Sequence, residues 1–184
     1  MNRRRLLAAA SVLMASAASW APGWASAGHP PELASALPQH RLLGQARLSV
    51  YGFQVYDSRL WVPPVFNTQD FSSQPFALEL AYLRDLKSEA IVDRSIAEMR
   101  RAASFDDAQA STWRKELLRV IPNIKKGDRV LGVNRPGEGA SFWVNGKQVG
   151  GVDDAEFARL FFGIWLSAKT SQPKMRTALL AGSP

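Results

Sequence analysis

Three features of the sequence predict an α+β fold. Strand patterns come first, two helical patterns follow, and a second block of strands built around an Asn-Gly turn precedes the last helices. This block order is not the strand-helix alternation of a parallel sheet, and Asn145-Gly146 between FWV and KQV predicts an antiparallel hairpin.

The first 27 residues have the layout of an export signal: Arg3, Arg4 and Arg5, an apolar run from Leu6 to Ser19, and the small-residue tripeptide Ala25-Ser26-Ala27. Cleavage is expected after Ala27, with export to the periplasm by the Sec route or, given the paired arginines, by the twin-arginine route. The apolar run falls short of the roughly 20 residues a membrane-spanning helix needs, so the mature protein is expected to be soluble. Losing the three leader arginines lowers the formal charge from +7 to +4, which weakens any nucleic-acid reading. With zero cysteines, disulfides, thiolate catalysis and thiolate metal sites are excluded. About 157 residues remain, enough for one domain that buries roughly two thirds of its unfolded surface.

Residues 28–40 are rich in proline and small side chains and are expected to form a flexible tether, with the domain proper spanning 41–184. Ala46, Leu48 and Val50 alternate with Arg47, Ser49 and Tyr51 in a strand pattern whose phase is lost at Gly52, compatible with a hairpin or a bent strand. Phe76, Leu78, Leu80 and Tyr82 form one face of a later strand, after a loop from Val62 to Pro75.

A helix capped by Ser88 or Asp85 follows, with Ile91, Ser95 and Met99 on one line and charged Asp93, Arg94, Glu98 and Arg101 elsewhere. A second runs from about Asp106 to Ile121 with Trp113, Leu117 and Val120 as its core face. Three strands lead to a helix whose cap is expected at Asp153, with Glu156 closing a capping box and Phe157, Leu160, Phe161, Ile164 and Trp165 as a wide apolar stripe. The last helix begins near Pro173.

Few residue patterns carry chemistry. His29 and His40 precede the first strand and lie far from any carboxylate pair, so no metal site, cofactor site or Ser-His-Asp arrangement is expected. Asp106-Asp107 and Asp153-Asp154 stand at helix starts, where carboxylates cap free N–H groups. Arg47, Tyr51, Tyr56 and Arg84 are the candidate ligand-binding residues, since a strand arginine helped by a phenol can fix a carboxylate. Tyr51 and Tyr56 double as weak catalytic candidates, and the same four side chains could equally be wet tyrosines and solvent-facing arginines.

The segments LLGQARLSVYGFQVYDSRLW, LAYLRDLKSEAIVDRSIAEM and SFWVNGKQVGGVDDAEFARLFFGIWLSAKTSQPKMRTALL resemble, in this order, the chalcone isomerase fold family and its exported, chalcone isomerase-like bacterial members. The resemblance covers nearly the whole mature chain. It implies an open-faced β-sandwich, a large antiparallel sheet covered on one face by helices, with a ligand cleft between the layers. The enzymes of the family close a chalcone into a flavanone with an arginine, a threonine and a tyrosine, whereas non-enzymatic members hold a fatty-acid carboxylate on the equivalent arginine. In this sequence the threonine position falls on Tyr51 and a polar position falls on Leu160; Arg41 or Arg47 could stand in for the arginine, and the tyrosine has no match. Because each such donor can be worth roughly 3 kcal/mol in a pre-organised site, chalcone cyclisation is not expected.

The expectation is therefore a non-catalytic periplasmic binding or accessory protein with an apolar cleft for a fatty-acid-like or aromatic ligand. Two alternatives stand beside it. One is an interaction module for a cell-envelope partner, using the sheet face or the loop with Val65, Phe66 and Phe71; the other is an isomerase or lyase using Tyr51 or Tyr56 with an arginine.

Overall fold

The computed structural model describes residues 28–182, so the proposed leader lies outside the described residues. Six strands form one sheet in the order in which they occur: β1 (Arg41–Val50), β2 (Phe53–Val62), β3 (Phe76–Tyr82), β4 (Arg129–Arg135), β5 (Gly139–Val144) and β6 (Lys147–Val152). Every neighbouring pair is antiparallel. A short α1 (Leu33–Ala36) precedes the sheet. Helices α2 (Ser88–Ala102) and α3 (Asp107–Val120) lie between β3 and β4, and α4 (Ala155–Leu166) and α5 (Pro173–Leu179) close the chain.

The phase break at Gly52 is a hairpin. Tyr51 and Gly52 both have positive φ, 49° and 82°, as do Asn145 and Gly146 in the second two-residue turn, which is the geometry that matches the twist of paired strands. Alternation in β3 then divides the sheet into two faces. Phe76, Leu78, Leu80 and Tyr82 point into the large core under α2–α5, while Ala77 joins Leu131, Val133 and Trp61 on the other face.

That second face overturns the tether reading for part of residues 28–40. Leu33 and Leu37 are buried against Trp61, Ala77, Leu131 and Val133, and the Glu32 carboxylate meets Arg129 Nη2 at 2.9 Å. This ion pair adjoins Glu79 on β3, whose side chain is only 1 % exposed and whose charge must be paired to be buried. Arg59 Nη2 donates to Glu79 Oε1 at 2.6 Å, Trp61 Nε1 donates to Oε2 at 3.0 Å, and Arg129 stands 4.0 Å away, linking this carboxylate to Glu32. Small residues and prolines permitted a tether; an apolar pair and one acid made the segment a strap.

Three local expectations shift. Helix α2 is capped by neither Ser88 nor Asp85: Asn123 Oδ1 accepts from Ser88 N at 3.0 Å, and Asp85 instead accepts from Lys125 Nζ and Lys126 N. The cap of α4 is Asp154, one residue later than expected, accepting from Phe157 N at 2.9 Å and from Trp113 Nε1 at 2.8 Å, while Asp153 pairs with Arg135. In the loop after β2, Phe66 is buried and Phe71 packs against the core, which leaves Val65, 87 % exposed, as the exposed member of that trio. One exposed valine is not a contact patch, so the loop does not support the interaction-module reading.

Two substitutions test the outer face. Leu33→Ala is expected to cost about 2–5 kcal/mol in urea unfolding, as for a buried leucine, where a free tether would show no change. Arg59→Met is expected to cost about 3–5 kcal/mol by stranding part of the Glu79 charge, and Arg59→Met combined with Glu79→Leu is expected to recover most of that loss.

Candidate ligand cavity

Helix α4 sits directly on the middle of the sheet. Phe162 packs at 4.9 Å between ring centroids from Phe76, and Gly132 on β4 supplies the room, because a Cβ there would come within 3.1 Å of the Phe162 ring. Helix α2 instead packs mainly on α3 and α4 and keeps its distance from the strands. Between α2 and the sheet lies a cavity of about 610 Å³.

Its sheet wall includes Leu48, Val55, Leu80 and Val130; its helical wall includes Ile91, Leu117, Ile121 and Phe161. Size and lining match the apolar clefts of roughly 300–1,000 Å³ that hold small molecules. Few polar groups enter it. Tyr56 Oη accepts a hydrogen bond from Trp165 Nε1 at 3.0 Å, which leaves the Tyr56 O–H free to donate. The Tyr82 ring lies edge-on to that of Tyr56 at 5.7 Å; the side chain is buried, and its hydroxyl, open to the cavity, bonds to no described residue. Both phenols are therefore donors aimed at the same space.

Burial pushes the Tyr56 phenol up to about 12, with the Glu98 carboxylate acting in the same direction and the Trp165 hydrogen bond opposing it. Burial also pushes the Tyr82 phenol up, helped by Tyr56. Neither is poised to take a proton near neutral pH; both offer neutral O–H groups to an acceptor. Glu98 lies in the cavity wall but is neutralised by Arg94 Nη2 at 2.5 Å and Arg101 Nε at 3.5 Å.

The sequence candidates separate by place. Tyr56, Tyr51 and Arg84 line the cavity, Tyr56 half-buried against the core and the other two exposed at its opening, with Arg84 lying 5.5 Å over the Phe53 ring. Arg47 does not line it: its guanidinium is bidentate to Asp57, its partner across the β1–β2 ladder. Arg41 also lies elsewhere, donating to Pro64 O at 3.2 Å, and Leu160 is buried in the core. Tyr51, assigned to a strand by resemblance, is a turn residue. The sequence reading missed Tyr82, Arg94 and Glu98. A signal was present for Glu98: with Ile91 and Ser95 it follows the i, i+4, i+7 rule of one helix face, so the stripe continued into a charge. Tyr82 was hidden in a strand face of apolar residues. Among the described residues no cluster of His, Asp or Glu is arranged to hold a metal ion, and no helix is long and apolar enough to cross a membrane.

A six-stranded antiparallel sheet roofed on one face by helices, with an apolar cavity between the layers, defines a class of open-faced sandwich proteins. Residues 38–181 match the chalcone isomerase-like family over more than half of the chain, and the chain belongs to that family. Among solved structures it is similar to a fatty-acid binding protein from Arabidopsis thaliana, with a TM-score of 0.61 and 14 % identity over 77 % of this chain and 87 % of that one. At that identity the likeness speaks for the fold. No curated protein matches the chain.

The raised Tyr56 and Tyr82 phenols set a direction for alkaline stability. Between pH about 10, where an unfolded tyrosine ionises, and the higher folded values, the folded state holds more protons than the unfolded one. Their contribution is complete below pH about 10 and is lost as pH rises through the folded range. Urea midpoints are expected to fall across that range, less steeply in Tyr82→Phe.

Proposed function

We propose that this protein binds a single-chain amphiphile of the fatty-acid kind in the cavity beneath α2, as a binding or accessory protein rather than a catalyst, and that it works in the periplasm after export on residues 1–27. One observation carries the binding reading: a largely apolar cavity of about 610 Å³ is lined by two phenols, Tyr82, whose hydroxyl bonds to no described residue, and Tyr56, whose proton is free to donate. The name of the similar Arabidopsis structure, a fatty-acid binding protein, supports the same ligand class.

The energetics favour a long chain. Each methylene taken from water contributes about 0.8 kcal/mol, so a dozen contribute ~10 kcal/mol, of the same order as the ~4–15 kcal/mol cost of association. The head group then decides whether binding is useful. A carboxylic or ester carbonyl would accept from Tyr82 and Tyr56, each bond contributing about 0.5–1.5 kcal/mol, and Arg84 stands at the cavity opening for an anionic head. Support for export comes from the leader pattern, Arg3 to Ala27.

Titration of the purified protein with palmitate, followed by calorimetry and by intrinsic tryptophan emission, tests the reading. Ile91→Trp, which fills the cavity, is expected to abolish binding with the fold intact by circular dichroism. Tyr82→Phe is expected to weaken binding about tenfold while leaving the empty protein about as stable, because the hydroxyl makes no bond to a described residue that its removal would break. Equal palmitate affinity in wild type and Ile91→Trp would reject the cavity as the site.

A further inference from the structure

Five large apolar side chains are markedly exposed among the described residues, and three of them, Val50, Tyr51 and Phe53, belong to the β1–β2 turn. Their exposures are 40 %, 96 % and 64 %. Singly exposed apolar residues are ordinary on a protein surface; three within four residues form a cluster. Hairpin stability does not account for it. The first turn position has positive φ and favours asparagine, which the other hairpin has at Asn145, yet here it is Tyr51, whose hydroxyl bonds to no described residue.

The place of this tip matters more than its composition. Val50 and Tyr51 line the cavity, so the exposed apolar surface continues into the buried one. Three charged residues share the cavity wall: solvent-exposed Arg84, and Glu98 with Arg94, which pair with each other and, through Glu98, with Arg101, so that this trio keeps one excess positive charge. Arg84 covers one side of Phe53. An apolar tip with a tyrosine at its end and cations beside it has the composition that settles at a lipid-water interface, aromatic rings among the head groups and cations toward anionic lipid.

We infer that the β1–β2 tip docks the protein on an anionic lipid bilayer with the cavity mouth toward the membrane, so that an amphiphile passes between bilayer and cavity without crossing water. This rests on the cavity reading for the cargo; the docking itself rests on the tip. The sheet places Val65 at the opposite end of β2, which makes it a control of equal character but different position.

The chain has zero cysteines, so Phe53→Cys and Val65→Cys each accept one environment-sensitive fluorophore. With vesicles of phosphatidylcholine and phosphatidylglycerol, the label at position 53 is expected to brighten several-fold and to be quenched by nitroxide-bearing lipid, and the label at 65 to stay unchanged. Vesicles of phosphatidylcholine alone are expected to give a weaker response, and Arg84→Gln to abolish that difference. In flotation, unlabelled Tyr51→Asn/Phe53→Ser, which keeps a favourable turn, is expected to lose most of its vesicle binding relative to wild type. A silent label at 53, equal responses at 53 and 65, or a response at 53 to membrane-free extract but not to vesicles would each overturn the proposal. The two readings fail separately: palmitate binding with a silent tip rejects docking alone, and a responding tip without palmitate binding rejects the cavity reading while upholding docking.

Discussion

Helix α2 is suspended from α3 and α4 instead of resting on the sheet, and the cavity exists because of that suspension. Two arrangements hold it there. At its start, Ser88 Oγ donates to Ile121 O while Asn123 Oδ1 accepts from Ser88 N, tying the first turn to the end of α3. Beside it, α4 is seated low on the sheet by Phe162 over Gly132, so the neighbouring helix rests on a fixed support. A close-packed interior tolerates few voids, and a space of this size beneath a helix whose cap and flank are both specified is a built feature of the fold.

The electrostatics of that space follow from the same geometry. Glu98 faces inward on α2 and would carry a buried negative charge, but Arg94 one turn earlier and Arg101 nearly one turn later hold it as an ion pair. What remains unpaired within the apolar walls is the O–H of Tyr82 and the donor proton of Tyr56, both kept protonated by burial. The polar side of the cavity is therefore donor-rich and close to neutral inside, with cations toward the outside. Of the positions to which resemblance to the family pointed, Arg41, Arg47 and Leu160 lie outside the cavity lining, and Tyr51 stands at its opening.

On the far face of the sheet the controlling group is Glu79. Its position on β3 is set by alternation, and its burial obliges Arg59, Trp61 and Arg129 to gather around it, with Glu32 drawn in through Arg129. The N-terminal strap thereby covers the centre of a face that would otherwise expose Leu131 and Val133, and the six-stranded sheet is shielded on both sides by unequal layers.

Local patterns in the sequence were enough for the order of elements from β3 onward, the two-residue turn at Asn145-Gly146, the core stripe of α3 and the two faces of β3, because period, glycine and proline act over a few neighbours. They also brought Tyr56 and Arg84 forward as ligand candidates. What they could not decide was direction in space. Whether Gly52 bent a strand or closed a hairpin depended on pairing across the sheet, and that pairing sent Arg47 to Asp57 and left Tyr51 on the turn. Whether residues 28–40 hung free depended on the far sheet face, where Trp61, Ala77, Leu131 and Val133 receive Leu33 and Leu37 and Arg129 meets Glu32. Tyr82 looked like one more apolar strand residue; only the standing-off of α2, a matter of how three helices meet over a sheet, turned its hydroxyl into a polar group inside a cavity. Short-range patterning is set by backbone sterics and side-chain period, whereas the site is set by long-range packing, which a linear reading does not contain.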